Sequence, residues 1–258
     1  MKKSILALLL AAFATTGANA QLLKSGLFNG YSQGETLEKR AYDSKDAAPT
    51  LDEWATCFTS SPTEVPSPLT GTELSYPGYP EKGVSIELGT PDGVKGNHFS
   101  VFPIDTKKAY SKGVFYVACL VNMSKVASAS PVDILGMSAS SVSASNRATI
   151  KVSKEGSAGI KFGTNLLKSN AVTSMAYDYD KTHLVVMKLD YDNQSVSLFV
   201  NPDTDAEPAE ADAVAMGDES NALKHALRGI TVRNRHGHKG NIGNIRFARS
   251  WSDLFAEI

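Results

Sequence analysis

Cysteine is scarce here: Cys57 and Cys119 are the only two in 258 residues. A chain of this length can build its core without a staple. The pair therefore has two readings. It is one disulfide if the chain folds in an oxidising compartment, or it is two buried thiols, since free cysteine is among the most buried residue types. Spacing alone does not establish the geometry that a bridge requires. A surplus of either charge is also missing, with 26 Lys+Arg against 27 Asp+Glu, a net charge of −1. Together with 42% hydrophobic residues, this excludes a disordered tail and a general nucleic-acid binder. Gly 20 and Pro 11 are near average usage, which excludes collagen-like and low-complexity chains. No repeat at a solenoid or propeller period is found. There is no Gly-x-Ser-x-Gly, no His-Glu-x-x-His and no phosphate-cradling Gly-Lys-Ser/Thr loop.

What is present begins with an expected export signal. Lys2 and Lys3 precede the apolar run Ile5 to Ala14, and Ala18-Asn19-Ala20 follows as a small-x-small cleavage site before Gln21. That run is too short for a stable spanning helix, which needs about 20 apolar residues, and no later run is longer. The expectation is a mature chain of 238 residues with a charge of −3, exported to the periplasm or beyond, without a transmembrane segment. The first cysteine is Cys57, so no lipid anchor is expected at the cleavage site.

From 21 to 68 the chain reads as an N-terminal extension. Thr50-Leu51-Asp52-Glu53 has the form of a capping box and predicts a short helical turn before Trp54. Pro62, Pro66 and Pro68 predict an extended connection. Beyond it come short β-type runs broken by turn residues: 74–76, 84–88, 98–102, 114–123, 132–137, 147–152 and 160–162. His183 to Leu189 and Ser195 to Val200, separated by an Asp/Asn-rich turn, read as a hairpin. Runs 229–232 and 242–247 complete the set. Short helices are expected over 221–227 and after Ser250. The pattern predicts an all-β fold, an antiparallel two-sheet jelly-roll sandwich with one or two short helices.

From Leu74 onward the order of elements resembles concanavalin A-like jelly rolls, specifically the laminin-G-like domains of secreted bacterial proteins. Leu74-Ser75-Tyr76-Pro77-Gly78-Tyr79 and Gly113-Val114-Phe115-Tyr116-Val117 carry the first part of the likeness. His183 to Asp190, Val196 to Pro202 and Gly240 to Trp251 carry the rest. The resemblance implies one domain over residues 69–258, with the 21–68 extension packed on it. It also implies a non-catalytic carbohydrate-binding or adhesion role at the cell envelope. A glycan-degrading enzyme and an interaction protein without a small ligand are the alternatives. Domains of this type commonly carry an acidic pair before Ile-Arg in the last strand, where this chain has Gly243-Asn244. No cofactor is expected; calcium enters by family analogy only. The laminarinase-type members use Glu-x-Asp-x-Glu on one strand, and no such string occurs here. Asp178-Tyr179-Asp180 reads as a turn, not as a catalytic pair. No catalytic or metal residue is therefore assigned, and the expected partner is a glycan or cell-surface polysaccharide.

The candidate ligand residues are aromatic and basic. Tyr76 and Tyr79 flank Pro77-Gly78 and are the candidates for a sugar-stacking platform. His236-Gly237-His238 is a close histidine pair, read as a polar turn for want of further ligands. Asp203-Thr204-Asp205-Ala206-Glu207, bracketed by Pro202 and Pro208, reads as a solvated loop. The least ordinary feature is a charge division: seven acids and no base over 203–219, then seven bases and no acid over 220–252. The acidic loop either folds over the basic strands, or both are solvated, or the bases form an anion-binding surface. On the last reading alternation places Arg233 and Arg235 on one face, with Arg246 facing out of the final strand beside them.

Overall fold

The computed structural model describes residues 21–43, 49–59, 63–104, 110–157 and 159–257, so the expected signal at 1–20 lies outside the described residues. In chain order the first strands are β1 (Leu22–Lys24), β2 (Arg40–Ala41), β3 (Ala55–Thr56), β4 (Thr70–Gly71), β5 (Ser85–Leu88) and β6 (Asn97–Pro103). Next come β7 (Val114–Lys125), β8 (Val132–Ser138), β9 (Asn146–Glu155), β10 (Gly159–Leu166), β11 (Ser169–Val172) and β12 (Tyr177–Asp178). The last are β13 (Thr182–Asp190), β14 (Ser195–Val200), β15 (Ala213–Met216), β16 (Gly229–Arg235) and β17 (Lys239–Ala248), then helix α1 (Trp251–Phe255). The first sheet has the order β15-β14-β13-β7-β17-β5-β4, with β1 also on β17. The second has the order β11-β10-β9-β8-β16-β6-β3-β2, with β12 also on β10. Every pairing is antiparallel except β2 with β3, and the whole is the expected jelly-roll sandwich.

The two sheets differ in what covers their outer faces, and the residue pattern along each strand shows why. In β7, Phe115, Val117, Cys119, Val121 and Met123 enter the core between the sheets. The alternate residues Tyr116, Ala118 and Leu120 are apolar as well and belong to a second cluster with Leu184 and Val186 of β13. A strand apolar on both faces must be covered on both. Trp251 and Leu254 of α1, with Leu74 and Tyr79, supply that cover, and Phe199 of β14 joins the covered face beside Val186. In β9, by contrast, Ala148, Ile150 and Val152 are core residues, while Arg147, Thr149 and Lys151 alternate with them. Strict alternation marks a sheet with one face in the core and the other unburied by secondary structure.

The covered face is anchored at a bulge. Between Gly243 and Arg246 the register of β17 on β7 shifts, and Asn244 adopts a left-handed conformation with φ 52°. Asparagine tolerates that region better than most residues. Its side-chain Nδ2 donates to Leu74 O at 3.1 Å and Glu81 O at 2.7 Å, and its own carbonyl accepts from Tyr79 Oη at 2.6 Å. A Cβ at Gly243 would lie 2.9 Å from Ser85 Cα, so the neighbouring strand requires glycine there. Gly243-Asn244 thus holds segment 72–83 against the sheet.

Several local expectations are corrected. Residues 74–76 form no strand, since they are part of the segment that covers the first sheet. The proposed turn of helix at 50–53 is a tight turn with Asp52 at φ 63°, leading straight into β3. Residues 221–227 are turns and isolated bridges, tied by Asn221 to Asp218 and by Leu227 to Tyr110. The helix after Ser250 forms as expected, with Ser250 Oγ accepting from Asp253 N at 3.2 Å. Segment 21–68 supplies β1 to the first sheet and β2 and β3 to the second. It also places Trp54 in the core against Phe28 and Phe102, with the indole N–H donating to Leu27 O at 3.0 Å.

Candidate functional site

The outer face of the second sheet is covered near β3 and β6 by the cluster of Tyr42, Cys57, Val101 and Val142, and beyond that cluster it gathers polar side chains. Residues paired across antiparallel strands share a face. Phe99 of β6 pairs with Arg233 of β16, and Asn97 with Arg235. One strand further, Asp133 of β8 pairs with Lys151 of β9. These residues form one surface. Arg233 Nη1 donates to Asp133 Oδ1 at 2.6 Å and its Nε to Asn97 Oδ1 at 3.2 Å. The same guanidinium lies over the Phe99 ring, 4.9 Å from its centroid. A planar cation bonded to a carboxylate and an amide and lying over a ring face is fixed in one orientation. Thr231 Oγ1 donates to Asn146 Oδ1 at 2.8 Å, and Thr149 Oγ1 to Asn165 Oδ1 at 2.6 Å; both threonines are buried, so these hydroxyls tie neighbouring strands together.

Beside this surface opens a cleft of about 930 Å³. β6 forms its floor through Asn97 and Phe99, with Thr56 and Phe58 on one wall and Ser143 and Ser145 on the other. That size suits a small ligand or a few units of a chain. Burial lowers the Lys151 pKa, with the Asp133 charge opposing and Arg233 reinforcing the shift. His238 is buried at the turn after β16, and neither ring nitrogen has a hydrogen-bond partner among the described residues. Burial first, then the charges of Arg235 and Arg233, bring its pKa down to about 4. A second cleft of about 460 Å³ lies between Pro66–Leu69, Glu87–Pro91 and Lys239–Asn241. Its amides are already engaged, Asn234 by both backbone groups of Gly89 and Asn241 by Ser85.

Under the main cleft sits a buried polar network that sequence reasoning missed. His98 Nε2 meets Glu38 Oε1 at 2.7 Å, Ser100 Oγ donates to the same oxygen at 2.6 Å, and Thr56 Oγ1 donates to Oε2 at 2.5 Å. His98 Nδ1 donates to Val65 O at 3.0 Å. Burial opposes ionisation of Glu38, but the hydrogen bond and charge of His98, with the two hydroxyls, outweigh it and hold the carboxyl below its usual range. Every lone pair in use is committed to holding Glu38 in place, and both side chains are buried, so this carboxylate pins β2 and β3 against β6. No motif marks it, because its members are scattered from Glu38 to Ser100.

The expected ligand residues are divided by the fold. Arg233 and Arg235 share the open face as alternation predicts. Arg246 does not join them. It lies in the other sheet, is fully buried beneath α1, and faces Glu81 Oε2 at 3.3 Å, while its Nη1 donates to Leu254 O and Ala256 O. Its side chain does point to the outer side of β17, but that side is covered. Tyr79 is buried with its hydroxyl on Asn244 and presents no face to solvent, and Tyr76 is half-buried against the same cluster. The two tyrosines help cover the first sheet and do not form a sugar platform. Cys57 and Cys119 are free thiols, both buried, and belong to separate clusters, Cys57 outside the second sheet and Cys119 in the central core. The acidic loop lies on the outer side of the first sheet, away from β16: Glu207 binds Lys188 and Tyr116, each at 2.6 Å, and Thr204 O accepts from Trp251 Nε1 at 3.2 Å. His236 is exposed while His238 is buried, and among the described residues no three His, Cys, Asp or Glu side chains converge on a metal position.

No family model matches the chain, and no curated protein matches it. Among solved structures it is similar to a heptameric SAP-like pentraxin from Limulus polyphemus, at 9% identity and TM-score 0.44, over 70% of this chain and 82% of that one. A sialidase matches at 11% identity and TM-score 0.47 over 86% of this chain, which spans only 19% of the sialidase. Lectin UEA-II, determined in complex with galactose, matches at 11% identity and TM-score 0.39 over 64% of this chain and 86% of the lectin. These neighbours are of the jelly-roll, concanavalin A-like β-sandwich kind.

Proposed function

We propose that this chain is an exported, non-catalytic carbohydrate-binding or adhesion protein of the laminin-G-like kind, and that it binds on the outer face of its second sheet. The observation that carries this reading is the Phe99–Arg233–Asn97 cluster, whose Phe99 and Asn97 line the floor of the cleft. Sugars are recognised by an apolar ring face together with directional donors and acceptors. Phe99, with the Arg233 guanidinium over its ring, supplies the aromatic group that lines the cleft, and Asn97, Ser143 and Ser145 supply polar groups. Catalysis has no comparable support. A retaining glycosidase needs two carboxyl groups about 5–5.5 Å apart. Asp133 is engaged by Arg233, and Glu38 is buried under its own network.

A glycan array on protein starting at Gln21, compared with its Phe99→Ala variant, tests the reading. The expected result is selective binding that weakens roughly tenfold in the variant, about 1.4 kcal/mol, with Tyr76→Ala unchanged. Bound glycans, including β-glucans and α-glucans, are expected to be recovered intact. Binding that ignores Phe99 but disappears with Tyr76 would overturn the placement of the site.

A further inference from the structure

We propose that the outer face of the second sheet receives an acidic polysaccharide, whose carboxylate or sulfate groups engage Arg235, Lys151 and the unused edge of Arg233. This rests on the glycan-binding reading above and adds the charge class of the ligand. Three observations converge on it. The first is partnering. Asp133 is committed to Arg233, and among the described residues neither Lys151 nor Arg235 forms an ion pair. The Arg233 fork uses Nη1 and Nε on protein acceptors, which leaves Nη2 without one among the described residues. Unpaired cations held close together repel, and a multivalent anion relieves that repulsion.

The second observation is arrangement. Arg233 and Arg235 are alternate residues of one strand, about 7 Å apart along it, and Lys151 lies two strands from Arg233, about 10 Å across the sheet. Three cations spread over that area match an anion that repeats along a polymer better than a single small one. The cleft with Phe99 opens at the edge of the array, so one sugar ring can stack there while its neighbours lie over the cations. The third is separation of charge. The chain carries a net charge of only −1, yet its acidic loop is fastened through Glu207 to Lys188 on the opposite outer face. The basic face is therefore not screened by the residues that balance it in sequence. His238, buried beside Arg235 and Arg233, senses the same positive field, which adds to the effect of burial in keeping its ring neutral.

The test measures retention on immobilised polygalacturonate, heparin, neutral dextran and double-stranded DNA. Runs at about 0.01 M and 1 M ionic strength compare screening lengths of about 30 Å and 3 Å. The proteins are the wild type, Lys151→Gln/Arg235→Gln, and Lys188→Gln as an opposite-face control. Because Lys151 and Arg235 make no ion pair, the double variant is expected to keep its melting temperature, which circular dichroism checks. The expected result is retention on an acidic polysaccharide at low salt, lost at high salt and weakened roughly tenfold or more in the double variant, with the control unchanged. Polygalacturonate or heparin as the better matrix identifies carboxylate or sulfate as the group read. Binding to neutral glycans that survives in the double variant would overturn the acidic assignment and leave the glycan reading standing. No binding to any glycan on matrix or array would overturn both. Retention on DNA equal to that on polysaccharide, with the same dependence on the two cations, would make the face a general polyanion binder and also overturn the proposal.

Discussion

Arg246 is the residue whose removal the fold should tolerate least. It is fully buried, its Nε faces Glu81 Oε2 at 3.3 Å, and its Nη1 serves two carbonyls at the C-terminal end of α1. Arg246→Leu conserves much of the bulk but leaves the Glu81 carboxylate with Gly26 N–H, at 2.6 Å, as its remaining partner, and strips the donor from Leu254 O and Ala256 O. Breaking a buried pair in this way costs about 3–5 kcal/mol. For a domain of this size that is a fall in melting temperature of roughly 6–20 °C. The loss should also depend on pH. Burial already pushes the Glu81 carboxyl up, against the hydrogen bond from Gly26 and the charge of Arg246. Without Arg246 it should rise further. A group whose folded pKa is raised retains stability below its unfolded value, about 4.3 for Glu, and loses it as pH rises through the folded value. The variant should therefore be more destabilised at pH 8 than near pH 4.5. Urea unfolding followed by tryptophan fluorescence gives both numbers. Glu81→Gln/Arg246→Leu completes the cycle and should recover at least about 1 kcal/mol of the single variant's loss at pH 8. A single-variant loss under about 1 kcal/mol, or one that is flat with pH, would refute the account of a buried pair holding the cover of the first sheet.

Three further outcomes follow from the same geometry. Tyr79→Phe deletes the 2.6 Å hydrogen bond to the Asn244 carbonyl and leaves that group buried, so a loss of about 1–2 kcal/mol is expected in urea unfolding, against none for Tyr76→Phe. Glu38 has a lowered pKa, so its contribution is present above the unfolded value and is lost as pH falls through the folded one; Glu38→Gln should be the less stable protein at pH 7, but its stability should decline less between about pH 4.5 and pH 2. Burial pushes both cysteine thiols up, and both should resist alkylation in the native protein; unfolded without reductant, each should take one alkyl group by mass spectrometry, whereas two unlabelled cysteines would establish a bridge.

Much of the sandwich was legible because its central strands are regular. β14 coincides with the run read from Ser195 to Val200, and β13 and β16 extend their runs by a few residues. The short strands β1 to β4, β11, β12 and β15 escaped, because pieces of two to four residues carry no periodicity of their own and are strands only through their partners. Residues 74–76 erred the other way. Leu74 and Tyr76 alternate like a strand, but their apolar contacts are with the second cluster on the outside of the first sheet, and Asn244 takes the backbone hydrogen bond of Leu74.

The candidate site shows how far alternation alone can carry a reading. It placed Arg233 and Arg235 on a common face, and it placed Arg246 on the outer side of its own strand. It could not tell that consecutive strands β16 and β17 belong to opposite sheets, so two outer sides were taken for one. The information that separates them was in the sequence, in strands other than those that carry the arginines. Tyr116, Ala118 and Leu120 of β7, with Leu184 and Val186 of β13, make the first sheet apolar on its outer side and so require a cover. Arg147, Thr149 and Lys151 of β9 make no such demand. An arginine beside the first group has to be buried and paired, as Arg246 is with Glu81. One beside the second group remains at the surface, where its charge acts on whatever approaches.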